Sequence, residues 1–198
     1  MELIHSKDNR TLKRLAALQQ RKQRKKYGHF IVEGVRAVRD MANRQRLEAL
    51  LVKESSMRQV DIKTLIEDPS TAHIRRYMVT DQLFSHLEGT VTTQGVVGIA
   101  KMQEHSIDDF QAQNGLYILL DSIQDPGNLG TIIRTAVAAG ANGIFLTKGW
   151  VDVYNDKTVR SAVSGMNEID IYEDLSNQDV QYLIEETGLT SYVTTLDN

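Results

Sequence analysis

The chain of 198 residues lacks several features that would place it in particular classes of protein. It contains no cysteine, which excludes disulfides and thiolate metal sites and fits a reducing compartment. Its five histidines lie far apart without ligand spacing, so we expect no metal site. No apolar run reaches transmembrane length, and residues 1–7 lack the apolar centre of a secretory signal. We therefore expect a cytoplasmic protein with no membrane partner.

Charge is distributed unevenly along the chain. Residues 1–30 hold nine Lys or Arg and two Asp or Glu, whereas the remainder holds 14 basic and 24 acidic residues. A basic arm on an acidic body indicates a polyanionic partner, the alternative being a solvated helix face. We predict phosphate contacts from five residues of this arm, Arg21, Lys22, Arg24, Lys25 and Lys26.

The periodic segments of the first hundred residues predict a small α/β sandwich. Helical spacing covers residues 7–26, and helices and strands then alternate. The predicted strands are 29–34, 47–52, 74–79 and 94–101, and the predicted helices between them are 35–43, 58–68 and 81–87. The polar residues 102–114 predict a linker with one helical turn at 107–110.

The second half of the chain predicts a further α/β unit with a parallel sheet. Residues 115–121 form a nearly continuous apolar run, which is typical of a parallel strand buried on both faces. The predicted strands are 115–121, 142–147, 169–172 and 191–196, and the predicted helices are 129–139, 156–164 and 177–186.

A turn sequence, Asp125-Pro126-Gly127-Asn128, separates the first strand of this unit from its helix. A parallel strand, a tight turn and a helix N-terminus form a natural ligand site at the carboxyl edge of a sheet. Pro126 fixes φ, Gly127 permits a left-handed conformation, and Asn128 suits the N-cap position.

The helix after this turn carries two further residues of interest. Gly130 permits another backbone or a ligand to approach closely. Arg134 lies near the helix N-terminus, where the helix dipole does not favour a cation, so its planar fork is a candidate for binding phosphate or carboxylate. The pattern alone supports a structural salt bridge of Arg134 equally well.

The complete string from Asp121 to Ala136 resembles the first signature motif of the SpoU (TrmH-like) family of the SPOUT superfamily. Residues 149–161 are similar to the family's D-x-(Y/F)-N-x-K stretch, and residues 30–34 and 93–97 resemble the two ends of its N-terminal substrate-binding domain. The resemblance implies an L30e-like α/β sandwich at 1–101, a linker at 102–114 and an incomplete SPOUT (α/β knot) domain at 115–198.

The resemblance also implies an activity, which is methyl transfer from S-adenosylmethionine to a ribose 2'-hydroxyl of rRNA or tRNA. We favour rRNA because the implied N-terminal fold is similar to ribosomal proteins. Arg134 and Asn128 match the positions credited with catalysis. The matched motifs also imply RNA contacts, made by Glu33, Arg134, Lys157 and Arg160.

The chain departs from the family pattern after residue 161. The second and third signature motifs, which form the knot, most of the cofactor pocket and much of the homodimer interface, do not occur in it. Only three residues are expected at the cofactor edge, Thr194, Thr195 and Leu196. Asn167 and Asp170 stand where the family has an aromatic residue and a proline.

The missing motifs leave one alternative to the methyltransferase activity, which is a non-catalytic RNA-binding protein. A nucleotide-binding protein unrelated to RNA is disfavoured because the G-x-G-x-x-G fingerprint is missing.

Overall fold

The first half of the chain is built on a five-stranded mixed sheet in the computed structural model, which describes residues 1–86, 94–149, 151–162 and 164–194. The spatial strand order is β1-β4-β3-β5-β2, with β1 and β3 parallel to β4, and β5 antiparallel to both β3 and β2. The strands are β1 (Glu2–Ile4), β2 (His29–Glu33), β3 (Leu47–Lys53), β4 (Arg75–Val79) and β5 (Val96–Lys101). The helices are α1 (Arg10–Ala17), α2 (Arg21–Tyr27), α3 (Val35–Asn43), α4 (Val60–Glu67) and α5 (Asp81–Phe84).

The predicted α/β sandwich is confirmed, and alternation of apolar residues explains its layers. Phe30 and Val32 of β2 are buried in one cluster with Val38 of α3, whereas Ile99 of β5 packs with Leu15 of α1 on the opposite face. Successive strand residues point to opposite faces, so one sheet serves two helical layers. The short β1, which pairs in parallel with β4, was not predicted.

The prediction of one helix over residues 7–26 is wrong, because the chain breaks between α1 and α2. Gln20 is extended, with φ −94° and ψ 131°. The guanidinium of Arg24 donates to the carbonyls of Leu18 and Gln19 at 2.7 and 2.8 Å. These bonds satisfy backbone acceptors that the interrupted helix leaves open.

The second half forms a three-stranded parallel sheet in the described residues, in the order β6-β7-β8. The strands are β6 (Tyr117–Leu120), β7 (Gly143–Thr147) and β8 (Asp170–Leu175), and the helices are α6 (Pro126–Ala138), α7 (Asp156–Ala162) and α8 (Asn177–Glu185). The parallel arrangement is confirmed. Burial of β6 on both faces is wrong, since β6 is an edge strand and Leu119 is 40% exposed.

Residues 191–194 are exposed and form no strand, which contradicts the predicted strand over 191–196 for its described part. The predicted turn in the linker is confirmed as a 3-10 turn at Ile107–Asp109. Leu87, at the end of the predicted helix 81–87, lies outside the described residues.

One hydrophobic cluster continues from the first half of the chain into the second. Phe30 of β2 and Val159 of α7 both belong to it, and the rings of Phe30 and Tyr154 lie 4.7 Å apart. The two halves therefore pack through an apolar interface. Within the described residues, no helix is both long and apolar enough to cross a membrane.

Candidate active site

The loop that connects β6 to α6 differs from its prediction in a way that changes the role of Asn128. The N-cap is Asp125, whose carboxylate accepts the backbone N–H of Asn128 at 2.8 Å, and Pro126 is the first helical residue. Proline suits that position because its missing N–H would have no helical partner. Asn128 is therefore inside the first turn and is not the N-cap. Gly127 is helical rather than left-handed.

A second bond holds Asp125 in place. Lys157 Nζ, from the first turn of α7, lies 2.8 Å from Asp125 Oδ2. The bond from Lys157 and the N–H of Asn128 keep the pKa of Asp125 below its usual value. Lys157, predicted to contact RNA, thus ties the start of α7 to the start of α6.

Gly130 brings α6 and α7 into direct backbone contact, as the sequence predicted for a close approach. A Cβ at this position would lie 2.7 Å from the carbonyl oxygen of Thr158 and 2.8 Å from the amide nitrogen of Ala162. No side chain fits there without moving α7, so glycine sets the distance between the helices.

The helix α6 divides into a buried face and an exposed face. Leu129, Ile133 and Ala136 are buried against the sheet and α7. The exposed face carries polar side chains, which are Asn128, Thr131, Arg134 and Thr135. Helical spacing of three to seven residues places these four on one side of α6.

Arg134 makes no hydrogen bond or ion pair with any residue that the structure describes, so the structural salt bridge left open by the sequence is not found among them. The two threonines of this face donate back to helix carbonyls, Thr131 to Gly127 and Thr135 to Thr131. The side chain of Arg134 is thus exposed to solvent on the same side of α6 as that of Asn128.

The other predicted RNA contacts on α7 and β2 lie together. Arg160 Nη2 is 2.9 Å from Asp156 Oδ2, and Arg160 Nη1 is 3.6 Å from Glu33 Oε2. Glu33 ends β2 in the first half of the chain, whereas Arg160 belongs to the second half. The pair therefore bridges the two halves beside α7.

The cations of α2 face acids of the second half. Arg24 is buried, and its Nη2 and Nε lie 2.5 and 3.1 Å from Asp152 Oδ2. Arg21 and Lys25 both pair with Asp174. The predicted phosphate contact of Arg24 is corrected, because a buried guanidinium bonded to Asp152 and to backbone carbonyls has no surface to offer. Lys22 and Lys26 are exposed.

Three acids of the second half that the sequence analysis did not single out form the other side of this contact. Asp174 has φ 62° within β8, where the pairing register with β7 shifts, so a bulge directs it toward α2. Burial, with Asp152 and Asp174 nearby, raises the pKa of Glu173 to about 7. The acidic excess outside residues 1–30 was the available sign of this complementary surface.

Asn167, one departure from the family pattern, has a structural use here. It is buried, its Oδ1 accepts from Arg46 at 2.5 Å, and its Nδ2 donates to Asp40 at 2.7 Å. Its backbone carbonyl accepts from Arg44 at 3.0 Å. A polar residue at this position therefore binds the second half of the chain to α3 and the start of β3.

The residues predicted at the cofactor edge do not form a pocket in the described structure. Thr194 is exposed in an irregular segment, and Thr195 and Leu196 lie outside the described residues. The carboxyl edge of the sheet carries an open groove of about 510 Å³, lined by Asp121, Thr147, Lys148, Leu175, Ser176, Asn177 and Gln178. Cofactor sites enclose most of the ligand surface, and this groove does not.

Two family models match the chain. Residues 9–98 match the MRM3-like substrate binding domain, and residues 115–198 match the SpoU rRNA Methylase family. A Bacillus subtilis protein, 23S rRNA (guanosine(2553)-2'-O)-methyltransferase RlmP, is 34% identical over 82% of this chain and 61% of its own length. Human mitochondrial rRNA methyltransferase 3 is 38% identical over 49% of this chain and 24% of its own length.

Solved structures show the same fold. An AdoMet-bound rRNA methyltransferase from Sinorhizobium meliloti matches with a TM-score of 0.78 and 28% identity, covering 92% of this chain and 68% of that one. The SpoU methyltransferase AviRb from Streptomyces viridochromogenes, in complex with the cofactor AdoMet, matches with a TM-score of 0.78 and 25% identity, covering 89% and 67%. The chain spans 57–61% of the length of its Bacillus and Synechocystis relatives.

Proposed function

Because this chain belongs to the SpoU rRNA methylase family, we propose that it forms the RNA-facing part of an RNA ribose 2'-O-methyltransferase. The observation that carries the proposal is the exposed face of α6. It carries the exposed side chain of Asn128 and the exposed guanidinium of Arg134, which has no ion-pair partner among the described residues.

Arg134 has two tasks in this proposal. Its planar fork holds a phosphate of the RNA next to the reacting ribose, and its charge stabilises the negative charge that develops on the 2'-oxygen. Arg134 does not act as a general base, because the pKa of a guanidinium exceeds about 12. Asn128 orients the ribose from the same helix face.

The family's cofactor is S-adenosylmethionine, and two of the similar solved structures contain it. When bound, it supplies a methyl group on a sulfonium. The described residues do not enclose a molecule of this size, so the proposal assigns only the RNA side of the site to this chain.

The proposed RNA contacts follow from charge and exposure. Lys22 and Lys26 are the exposed cations of α2 for which no ion pair is seen among the described residues. Arg21 and Lys25 can contact a phosphate only if the phosphate displaces Asp174. Lys157 can do so only if its ion pair with Asp125 breaks.

The name of the Bacillus relative states that it acts on 23S rRNA, which supports rRNA over tRNA as the substrate. A cytoplasmic location, a homodimer and the boundaries 1–101, 102–114 and 115–198 belong to the same proposal.

The test is methyl transfer by a version of this chain extended to the length of its relatives. Labelled S-adenosylmethionine and rRNA are incubated with it, and the RNA is digested to nucleosides. We expect label in a 2'-O-methyl nucleoside. Label confined to a base, or no transfer by a folded protein that still binds RNA, would contradict the proposal. The second result would favour the alternative, which is a non-catalytic RNA-binding protein. The named relatives do not favour that alternative.

A further inference from the structure

An open groove of about 570 Å³ lies beside α3 and reaches the second half of the chain. Two arginines of α3, Arg36 and Arg39, line it together with Gln94, which precedes β5. On the other side it is lined by Ser164, which follows α7. The groove therefore spans the contact between the two halves.

The two arginines of this groove are available to a ligand. Arg36 is exposed and Arg39 is half-buried, and neither forms a hydrogen bond or an ion pair within the part of the chain that the structure describes. Asp68 is a charged neighbour of Arg39, but its side chain accepts hydrogen bonds from Ser70. A spacing of three residues places both arginines on one side of α3, so two planar forks belong to one groove.

The two acids that line the groove differ in their bonding. Asp40 already accepts from Asn167 Nδ2 at 2.7 Å and from Arg44 Nε at 3.3 Å. Asp61 is exposed in the first turn of α4, and its side chain has no partner among the residues described. Two guanidinium groups thus stand against one carboxylate that is not already bonded. The groove should attract anions, and Asp61 should weaken that attraction.

The side chain of Gln94 adds a neutral donor. Its oxygen accepts the backbone N–H of Val35 at 2.9 Å, which fixes the amide at the start of α3. The amide nitrogen of Gln94 has no partner in the described ranges and can donate to a ligand. Donors of this kind, together with two arginines, suit phosphate oxygens, which accept hydrogen bonds.

The groove ends next to the helix that carries Arg134. Ser164 is followed by Gly165, and a Cβ at Gly165 would lie 3.3 Å from the Cα of Arg134. Consecutive Cα atoms are about 3.8 Å apart, so the wall of the groove and the backbone of α6 are close neighbours. Arg36, Arg39 and Arg134, which lack ion-pair partners among the described residues, therefore lie on adjoining surfaces of the two halves.

We propose that this groove binds backbone phosphates of the substrate RNA beside the nucleotide that α6 receives, through Arg36, Arg39 and the Gln94 amide. Arginine forks bond phosphate oxygens in pairs, and such contacts position the RNA without reading its bases. An acidic peptide would also supply anions, but the adjoining Arg134 favours a strand of RNA that continues onto α6. The inference rests on the proposed function, since it names a second surface for the same RNA.

The experiment measures binding of the 198-residue chain to a labelled uridine dodecamer by fluorescence anisotropy at several salt concentrations. Arg36→Ala combined with Arg39→Ala should weaken binding about fivefold per lost contact at about 0.1 M salt, and should reduce the slope of log affinity against log salt by about 0.7 per contact. An adenosine dodecamer should show the same losses. Arg36→Lys combined with Arg39→Lys should keep the slope but weaken binding, because the charges stay and the forks are lost.

Two further variants separate this groove from general effects of charge. Asp61→Asn should strengthen binding about twofold to threefold, because it removes a carboxylate that repels phosphate. Arg10→Ala combined with Arg75→Ala is the matched control, since it removes two exposed arginines of the same half that do not line the groove. The control should change affinity and slope less than loss of Arg36 and Arg39. Melting curves confirm that each variant is folded.

The outcomes separate the two proposals. RNA binding that loss of Arg36 and Arg39 leaves unchanged, or that the control pair weakens as much, would overturn the phosphate site and leave the proposed function standing. Weaker RNA binding by folded Asp61→Asn would also overturn the site. Tighter binding of polyglutamate than of RNA, lost with Arg36 and Arg39, would assign the groove to an acidic peptide instead. Absence of RNA binding by the parent chain would overturn both proposals.

Discussion

The helices α2 and α6 differ in the number of cations that they carry and in how many of those cations are already bonded to acids. Five of the seven residues of α2 are cations, but Arg21, Arg24 and Lys25 are bonded to acids in the second half of the chain. Arg134 of α6 stands among neutral residues and has no partner in the described part of the chain. A dense run of positive charge can therefore be a contact between two halves of a chain, whereas a single exposed arginine without an ion-pair partner among the described residues is the better candidate for binding a substrate phosphate.

Substitution of Arg134 should give the largest effect on activity. In the extended version of the chain, Arg134→Lys and Arg134→Ala should each lower methyl transfer on the order of a hundredfold or more, because a positioned charge is lost at the reacting centre. The melting temperature should change little, since the side chain is exposed. Turnover per folded molecule and melting are measured on the same samples. Normal turnover with a lowered melting temperature would mean that Arg134 is a structural residue, and the contrast between α6 and α2 would no longer hold.

Loss of Asp152 should give the largest effect on stability. Asp152→Ala leaves the buried guanidinium of Arg24 without its carboxylate, and such changes cost about 3–5 kcal/mol. The matched control is Asp174→Ala, which removes partly exposed pairs worth about 1 kcal/mol or less each. Urea denaturation of both variants measures the difference. Equal costs for the two would mean that burial of Arg24 is not what makes the contact strong.

The raised pKa of Glu173 predicts that part of the stability is lost as pH rises. Its pKa is about 7 in the folded chain and 4.5 ordinarily, so the folded state binds more protons between these values. The free energy of unfolding therefore falls through this window, by up to about 3 kcal/mol for a single group shifted this far.

Glu173→Gln should remove this fall, so the variant should be more stable than the parent at pH 8 and similar to it near pH 5. Asp174 has a lowered pKa, and its contribution is lost only at more acidic pH. Denaturation midpoints between pH 5 and pH 8.5 test the sign. A stability difference that shrinks as pH rises would contradict it.

The smallest effect concerns the cations within α2. Neutralising Lys22 and Lys26 together should reduce the slope of log affinity for single-stranded RNA against log salt concentration by about 0.7 per lost phosphate contact. Neutralising Arg21 and Lys25 should change the slope less, because Asp174 already neutralises them in the free chain. Binding measured at several salt concentrations compares the two double variants. A larger change for the second pair would show that RNA displaces Asp174.

The amino-acid sequence determined most of the local structure and the family of this protein. Apolar periodicity is a local property, so it located β2, α3, β3 and α7 within a few residues. The string from Asp121 to Ala136 indicated both the methylase family and the position of Arg134. Gly130 was recognisable as a close-approach position because no other residue lacks a Cβ.

Tertiary structure decided which charged groups are available and which are bonded, because ion pairs join residues that are far apart in sequence. Asp152 lies 128 positions after Arg24, yet burial of the pair turns a predicted phosphate ligand into a structural residue. The N-cap of α6 is Asp125 and not the predicted Asn128, because the helix begins at Pro126. The contact between Glu33 and Arg160 exists only where the two halves pack, and no local pattern in either half encodes it.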